Sequence, residues 1–574
     1  MIEDAQITPP VKDDNETYEN AINAIDFLGD VANEGVFVIM GLGAGYFVKE
    51  VVEQINTGHS MIVYEPSAGV LKNAMHELDL TKMFACERIY IALGDVKDYW
   101  FVHHCHMRTV NGRLWVIKHK NFHNGDGELC DEFYKRFQEE KRIADINIGT
   151  QIGLGKTFMN CILKNIPEII KNNGVVSLKD IAVNEPVLVV ASGPSLDNSI
   201  DDLKKLADDI FIIACDTALP FLLLHDIVPD VVTGIDPLTD NNALFRDPRC
   251  KDIPLVCMAQ YTPSVVKAYP GPIYFSSMPG NQVFQWLQWY WDNKGAVECF
   301  GGSVSHFAFG LAEYMGAKTI GLMGHDYSFK SKWYCGDTSE MLHKEMGKEV
   351  PDETKDAISQ TNINGDPVFT RPTLLSFKTA VENKIKVFDG KVYNLSREGL
   401  PVEGTYYSSV DDFINKYCND KPVIEHVSTS NGYQIDDLIK AVHLGKYVFK
   451  TIKKYSLKII GLIHEARKLK DSGDKKGCRK ILRKIEKMRH FTTHPLLEIM
   501  SGYHTILEIY LQRHDVKDID NIKDEWEKRD AQMFRGLNYY GELNEAVGLF
   551  VVELDDLNKE LKKIRRRDVL SGSK

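Results

Sequence analysis

No apolar run in this chain of 574 residues approaches the roughly 18–20 residues needed to cross a bilayer. Its 11 cysteines include no Cys-x-x-Cys pair, and the odd count argues for reduced thiols rather than a disulfide frame. A basic excess is missing too: the net charge is −12, which argues against a general nucleic-acid binder, since such proteins need a dense cationic footprint. Residues 1–19 are acidic and polar, without the basic and apolar blocks of a secretory signal. These absences predict a cytoplasmic protein with no membrane insertion and no nucleic-acid partner. What is present is an ordinary globular composition, 44% hydrophobic and 26% charged, in a length sufficient for three or four domains.

The most informative stretch is an apolar run at 187–190 that stops in Ala191-Ser192-Gly193-Pro194-Ser195-Leu196-Asp197. A tight Gly-containing bend aims several backbone N–H groups at one spot, and a following helix adds its positive end, so such a turn suits a phosphate. Three further short strand patterns end in Asp216-Thr217, in Asp236-Pro237 and in Gly324-His325-Asp326. Cys299-Phe300-Gly301-Gly302-Ser303-Val304-Ser305 opens a helix whose apolar positions are Ala308, Leu311, Ala312 and Met315. Ligands of open α/β sheets collect at the carboxyl ends of strands, so these segments describe one crevice.

Either side of this region the patterning changes. Residues 36–40 read as a strand running into Gly41-Leu42-Gly43-Ala44-Gly45, and a strand over 61–64 ends at Glu65, 22 residues beyond Gly43. That is the spacing of a Rossmann-like unit with an acid on a ribose, and it also suits S-adenosylmethionine. Residues 21–33 and 156–171 read as helices, and the polar segment 172–184 marks the main boundary. Beyond Tyr433, Leu438, Val442, Val448, Ile452, Ile459 and Ile463 recur at helical spacing, Pro495 interrupts, and a helical bundle follows. The expected class is α/β: a Rossmann-like N-terminal domain over 1–171, a central α/β domain over 172–425 and a C-terminal α-helical bundle over 426–574.

Three features invite sharper readings. Between Lys475 and Arg489 eight basic residues surround a single acid, Glu486, and Arg565, Arg566 and Arg567 lie near the end of the chain. Such a run is either a solvated helix face or a dock for an acidic protein. His103-His104-Cys105-His106, with His119 and His123, suggests a metal, but adjacent strand residues face alternately and zinc ligands come in spaced pairs, so no metal site is expected. Gly153-Leu154-Gly155-Lys156-Thr157 echoes a phosphate loop without its leading glycine and reads as a helix start.

Taken together, the turn at Ser192 to Asp197, Asp216-Thr217, Asp236-Pro237, Gly301-Gly302-Ser303, Gly324 with Asp326, Asn364-Gly365-Asp366, Glu382-Asn383 and Glu398-Gly399 resemble the central domain of the motility accessory factor family. That central domain is also similar to small bacterial sialyltransferases and to an archaeal hydroxymethylpterin pyrophosphokinase. The resemblance implies a flagellin glycosyltransferase that moves a nonulosonic acid, of pseudaminic or legionaminic type, from its CMP-activated form to Ser or Thr. It implies flagellin and the CMP-sugar as partners and no further cofactor. By it, Ser192, Gly193, Pro194, Ser195, Gly301, Gly302 and Ser303 enclose the nucleotide and phosphate, and Asp216, Thr217 and Asp236 face ribose or cytosine. Asp326 would meet a sugar hydroxyl, and His343 or Glu398 would be the base. Where family members carry a Thr-His pair, this chain has Trp333-Tyr334-Cys335, so the base stays open between those two; His306 could instead touch phosphate. Two alternatives remain: an ATP-dependent pyrophosphokinase of a pterin-type substrate, and a non-catalytic flagellin chaperone.

Overall fold

The structure is a computed structural model that describes residues 6–7, 35–54, 59–86, 88–96, 113–118, 127–238, 241–277, 281–290, 294–337, 357–417, 424, 434–492, 494–500, 522 and 524–571. The helix expected at 21–33, the His103 to His106 cluster, His119, His123 and His343 lie outside the described residues. Two compact units are formed, one from residues 1–155, 455–492 and 503–544, the other from 156–454, 493–502 and 545–574.

In the first unit, β1 (Gln6–Ile7), β2 (Gly35–Met40), β3 (His59–Glu65), β4 (Ile89–Leu93) and β5 (Arg113–Lys118) make a sheet in the order β1-β5-β2-β3-β4. Every described pairing in it is parallel. Val36, Val38 and Met40 point to one buried cluster and Phe37 and Ile39 to another, the alternation expected of a strand covered on both faces. The Gly-rich turn then opens α1 (Tyr46–Gln54). Glu65, placed by its spacing on a ribose, is buried, and its two oxygens accept the N–H groups of Leu42 (2.8 Å) and Ser67 (2.9 Å). The acid pins the turn to β3, and this internal bonding accounts for the spacing without a ligand.

The helix α2 runs unbroken over Gly127–Ile169. Residues 153–157 therefore lie inside a helix and not at its start: the phosphate-loop echo carries no bend, and its N–H groups face helical carbonyls.

In the second unit, β6 (Asn173–Gly174), β7 (Pro186–Val190), β8 (Phe211–Cys215), β9 (Val231–Gly234), β10 (Leu255–Met258), β11 (Ile273–Ser276), β12 (Thr319–Met323), β15 (Lys391–Asn394) and β16 (Tyr406–Tyr407) form a sheet of nine described strands. Its order is β16-β15-β12-β7-β8-β9-β10-β11-β6, all parallel. An antiparallel ribbon, β13 (Ile358–Thr361) with β14 (Pro367–Thr370), stands apart from it. Val187 and Val189 enter one core cluster and Leu188 and Val190 the other, so both faces are covered, as parallel sheets require. The chain order reverses between β7 and β12, which puts the topological switch point between those neighbours. The elements that cover and extend this sheet include α3 (Ile200–Ala207), α4 (Val304–Tyr314) and α5 (Pro372–Val387).

Beyond residue 434 the described elements are helical: α6 (Ile435–Asp471), α7 (Lys475–Arg489), a short 3₁₀ turn at Pro495–Met500, and α8 (Glu525–Ser571). Within the second unit α6 and α8 are tied by an ion pair of Lys446 with Asp555 and an edge-on contact of Phe449 with Phe550.

Candidate active site

A cleft of about 230 Å³ opens over the carboxyl ends of β7, β8, β9 and β12. Ser192 and Gly193 line it from the β7 end, Asp216 and Thr217 from β8, Asp236 from β9, and Gly324, His325 and Asp326 from β12. Ser303, Val304 and Ser305 enter from the start of α4. Four strand ends and one helix start thus meet where the sequence places a crevice. Residues 294–299 lead into α4 as irregular chain.

The Gly-Pro-Ser turn has a different job from the one its composition suggests. Gly193 N–H donates to the Gly324 carbonyl (2.9 Å), Pro194 has no N–H, and Ser195 N–H donates to Asp326 Oδ2 (2.7 Å). Ser195 Oγ also donates to Asp326 Oδ1 (2.5 Å). The donors expected for a phosphate at Gly193 and Ser195 are therefore already used inside the protein. A side chain at Gly193 would run into the Gly324 carbonyl and lie 2.6 Å from Asp326 Oδ2, so glycine is required there by close approach. A Cβ at Gly399 would likewise lie 2.7 Å from Asp326 Cα, at a φ of +107°.

Asp326 is the knot of this corner. Its carbonyl accepts Leu400 N–H (2.8 Å) and Ser328 Oγ (3.1 Å), and both side-chain oxygens hold Ser195. Burial lifts its carboxyl to about 7 against the pull of the Ser195 hydrogen bonds, with Glu398 and Asp197 pushing the same way as burial. It borders the cleft while fastening β7 to β12.

Ser192 Oγ and Thr217 Oγ1 lie 2.8 Å apart on the wall. Asp216 is buried, accepting Tyr261 O–H (2.8 Å) on one oxygen and Thr217 N–H (2.8 Å) on the other. Asp236 accepts Leu238 N–H (2.8 Å) in an exposed turn. Leu374 and Phe377 from α5, with Tyr327, Trp333 and Tyr334, close the cleft with apolar and aromatic surface.

At the start of α4, Ser303 and His306 form a capping box. His306 is fully buried, and its Nε2 lies 3.0 Å from the Phe377 carbonyl, an acceptor only. Nε2 must carry the proton, which leaves Nδ1 to accept Ser303 N–H at 3.4 Å. Burial drives this imidazole down to about 4, so it stays neutral. Both nitrogens are engaged, and the phosphate contact expected of His306 has no free atom to make it. What the helix start does offer the cleft is Val304 and the Ser303 and Ser305 side chains at its positive end.

Glu398 stands outside the lining residues, its oxygens on Asn198 Nδ2 (3.2 Å) and Lys330 Nζ (2.9 Å). Pro194, Ser195, Gly301 and Gly302 are likewise not among the lining residues. His325, Tyr327, Trp333, Tyr334, Leu374 and Phe377 are lining residues to which sequence reasoning gave no role; His325, between Gly324 and Asp326, and Trp333 with Tyr334, at the place of the family's Thr-His pair, had a signal beside them. Among the described residues no group of His, Cys, Asp and Glu is arranged to hold a metal. No helix of the described residues is long and apolar enough to cross a membrane.

Residues 160–332 match the family model of the MptE-like 6-hydroxymethylpterin diphosphokinases. Among curated proteins, an uncharacterized protein of Treponema pallidum (strain Nichols) is 23% identical over 167 residues, which cover 28% of this chain and 77% of that protein. Among solved structures, the Maf glycosyltransferase of Magnetospirillum magneticum AMB-1 aligns with a TM-score of 0.57 at 16% identity, over 99% of this chain and 88% of that one. The chain has the Maf glycosyltransferase fold. The expectation of mixed α/β architecture with a helical C-terminal region holds with it, and the diphosphokinase match covers the four strand ends and the helix start of the cleft but not its Trp333, Tyr334, Leu374 and Phe377 wall.

Proposed function

We propose that this protein is a cytoplasmic glycosyltransferase that moves a nonulosonic acid, of pseudaminic or legionaminic type, from its CMP-activated donor to Ser or Thr of flagellin. The observation that carries the reading is the cleft itself: hydroxyls and carboxylates at four strand ends meet a helix start at the switch point of a sheet whose fold is that of a Maf glycosyltransferase. Breaking a bond from the sugar carbon to phosphate builds positive charge on the sugar and negative charge on the leaving phosphate. The positive end of α4, with Ser303 and Ser305, is placed to hold that phosphate. Ser192, Thr217, Asp216 and Asp236 form the polar wall left for ribose and cytosine. Asp326 acts by fixing the Ser195 turn rather than by touching the sugar. A base must take the acceptor proton; His343 and Glu398 remain its candidates, Glu398 from the Lys330 ion pair outside the wall. In this reading protein donors replace a metal, and no cofactor beyond the donor is used.

The diphosphokinase match favours a second reading, ATP-dependent pyrophosphoryl transfer to a pterin-type substrate, which calls for magnesium held by carboxylates. A magnesium there would have to share Asp216 with Tyr261 and Thr217, and Asp326 with Ser195. Calorimetric titration with CMP and with ATP, each with and without magnesium, separates the two. Metal-independent CMP binding that weakens in Ser192→Ala is expected. Magnesium-dependent ATP binding without CMP binding would replace this reading by the second, and silence for both would favour a non-catalytic flagellin chaperone.

A further inference from the structure

The basic run of the C-terminal region folds as α7, a helix of 15 residues capped at its start by Asp474, whose side chain accepts Gly477 N–H (2.9 Å). Its apolar side is committed, with Cys478, Ile485 and Met488 buried in the unit. Three of its eight cations are also answered locally. Lys475 and Arg479 lie over the Trp526 ring at 5.2 and 5.5 Å, and Arg489 pairs with Glu486 at 3.2 Å. Lys476, Lys480, Arg483, Lys484 and Lys487 are exposed, and none makes an ion pair with a described residue. Their spacing of i, i+4, i+7, i+8 and i+11 places all five on one stripe, about 17 Å long at 1.5 Å per residue.

A stripe of this kind works against the helix that bears it. Lys476 with Lys480, Lys480 with Lys484, and Arg483 with Lys487 are like charges four apart, each of which destabilises the helix. Eight cations less one carboxylate give α7 a charge of +7, in a chain of net charge −12, so the remaining residues sum to −19. The stripe is a concentrated cationic patch on a protein of net negative charge. That overall charge of −12 disfavours a long polyanion such as a nucleic acid. α7 has no free apolar face to insert into a membrane, which leaves a lipid surface only the salt-screened attraction of its cations. A short acidic protein segment meets neither obstacle.

We propose that the Lys476, Lys480, Arg483, Lys484 and Lys487 stripe docks an acidic segment of a partner protein, matched to it by carboxylates at helical spacing. Such a contact speeds encounter and fixes orientation, and it weakens as salt rises. It stands independently of the chemistry in the cleft.

The test uses the full chain and a labelled helical peptide of about 18 residues with glutamates at i, i+4, i+7, i+8 and i+11. Three comparison probes are a peptide of the same composition with its glutamates spread around the helix, a single-stranded DNA of about 15 nucleotides, and phosphatidylcholine vesicles with about 30% phosphatidylserine. The patterned peptide should bind best, and Lys480→Glu with Arg483→Glu and Lys484→Glu should weaken it at least about tenfold, each 1.4 kcal/mol being one factor of ten. The milder triple change to Gln should give a smaller loss in the same direction, with the far-UV spectrum of both variants unchanged. Tighter binding of the DNA or the vesicles, equal binding of the two peptides, or no binding of any probe would overturn the proposal.

Discussion

Asp326 shows how far a single residue's role departs from its place in a motif. As a carboxyl next to a cleft it reads as a ligand group, yet both its oxygens hold Ser195, 131 residues away in the chain. That partnership was not legible in the sequence, because nothing local to either motif encodes which turn sits beside which. What was legible was that Gly-Pro-Ser and Gly-x-Asp would each end a strand at one crevice, since both follow short buried apolar runs. The carboxyl has a folded value of about 7 against an ordinary 3.8. Between those values the folded state keeps a proton that the unfolded chain releases, so stability is lost as pH rises across that window. Asp326→Asn removes the titration, and its thermal midpoint relative to the parent protein should improve from pH 4 to 7 and then level off. A constant offset across this range would show that the carboxyl ionises as freely folded as unfolded.

Among the elements, α4 joins fold and site most directly. Its apolar residues at helical spacing and its Gly-Gly-Ser approach announce a helix start, and the structure begins it at Val304. The sequence did not show that the third helical residue, His306, completes the cap with a neutral ring, because Glu or Gln is the ordinary partner in a capping box. The ring reaches Phe377 on α5, again a contact of long sequence separation. Other differences have the same origin. The two-residue strands β6 and β16 sit at the sheet edges, too short to show a period, and Glu65 follows a cofactor spacing while serving the turn it holds. Ser303→Ala deletes the cap that accepts Ser305 N–H, a change worth about 1 kcal/mol at helix starts. It should lower the thermal midpoint modestly and weaken CMP binding, because the same helix start is the proposed phosphate seat. A lowered midpoint with unchanged CMP affinity would separate the cap from the ligand and move the phosphate elsewhere.

For the molecule as a whole, the same corner of the sheet sets a response to acid. His306 and His325 are both buried within the second unit, and burial holds their imidazoles at about 4 and about 3 against an ordinary 6.5. As pH falls below 6.5 the unfolded chain binds two protons that the folded state refuses, so their contribution, complete above 6.5, is lost toward pH 4. Asp326 acts in the opposite sense over much of this range, offsetting one of the two. Near pH 5 the three groups together therefore leave the fold binding about one proton fewer than the unfolded chain, a local slope of roughly 1.4 kcal/mol per pH unit before other carboxylates are counted. His306→Gln takes one imidazole out of that balance. Its unfolding midpoint should start lower at pH 7.5, through the lost cap and packing, and then fall less steeply than the parent's as pH drops to 4.5. Equal slopes for the two proteins would mean that His306 protonates in the fold as it does in the open chain, and the neutral ring deduced from its bonds to Phe377 and Ser303 would have to be given up.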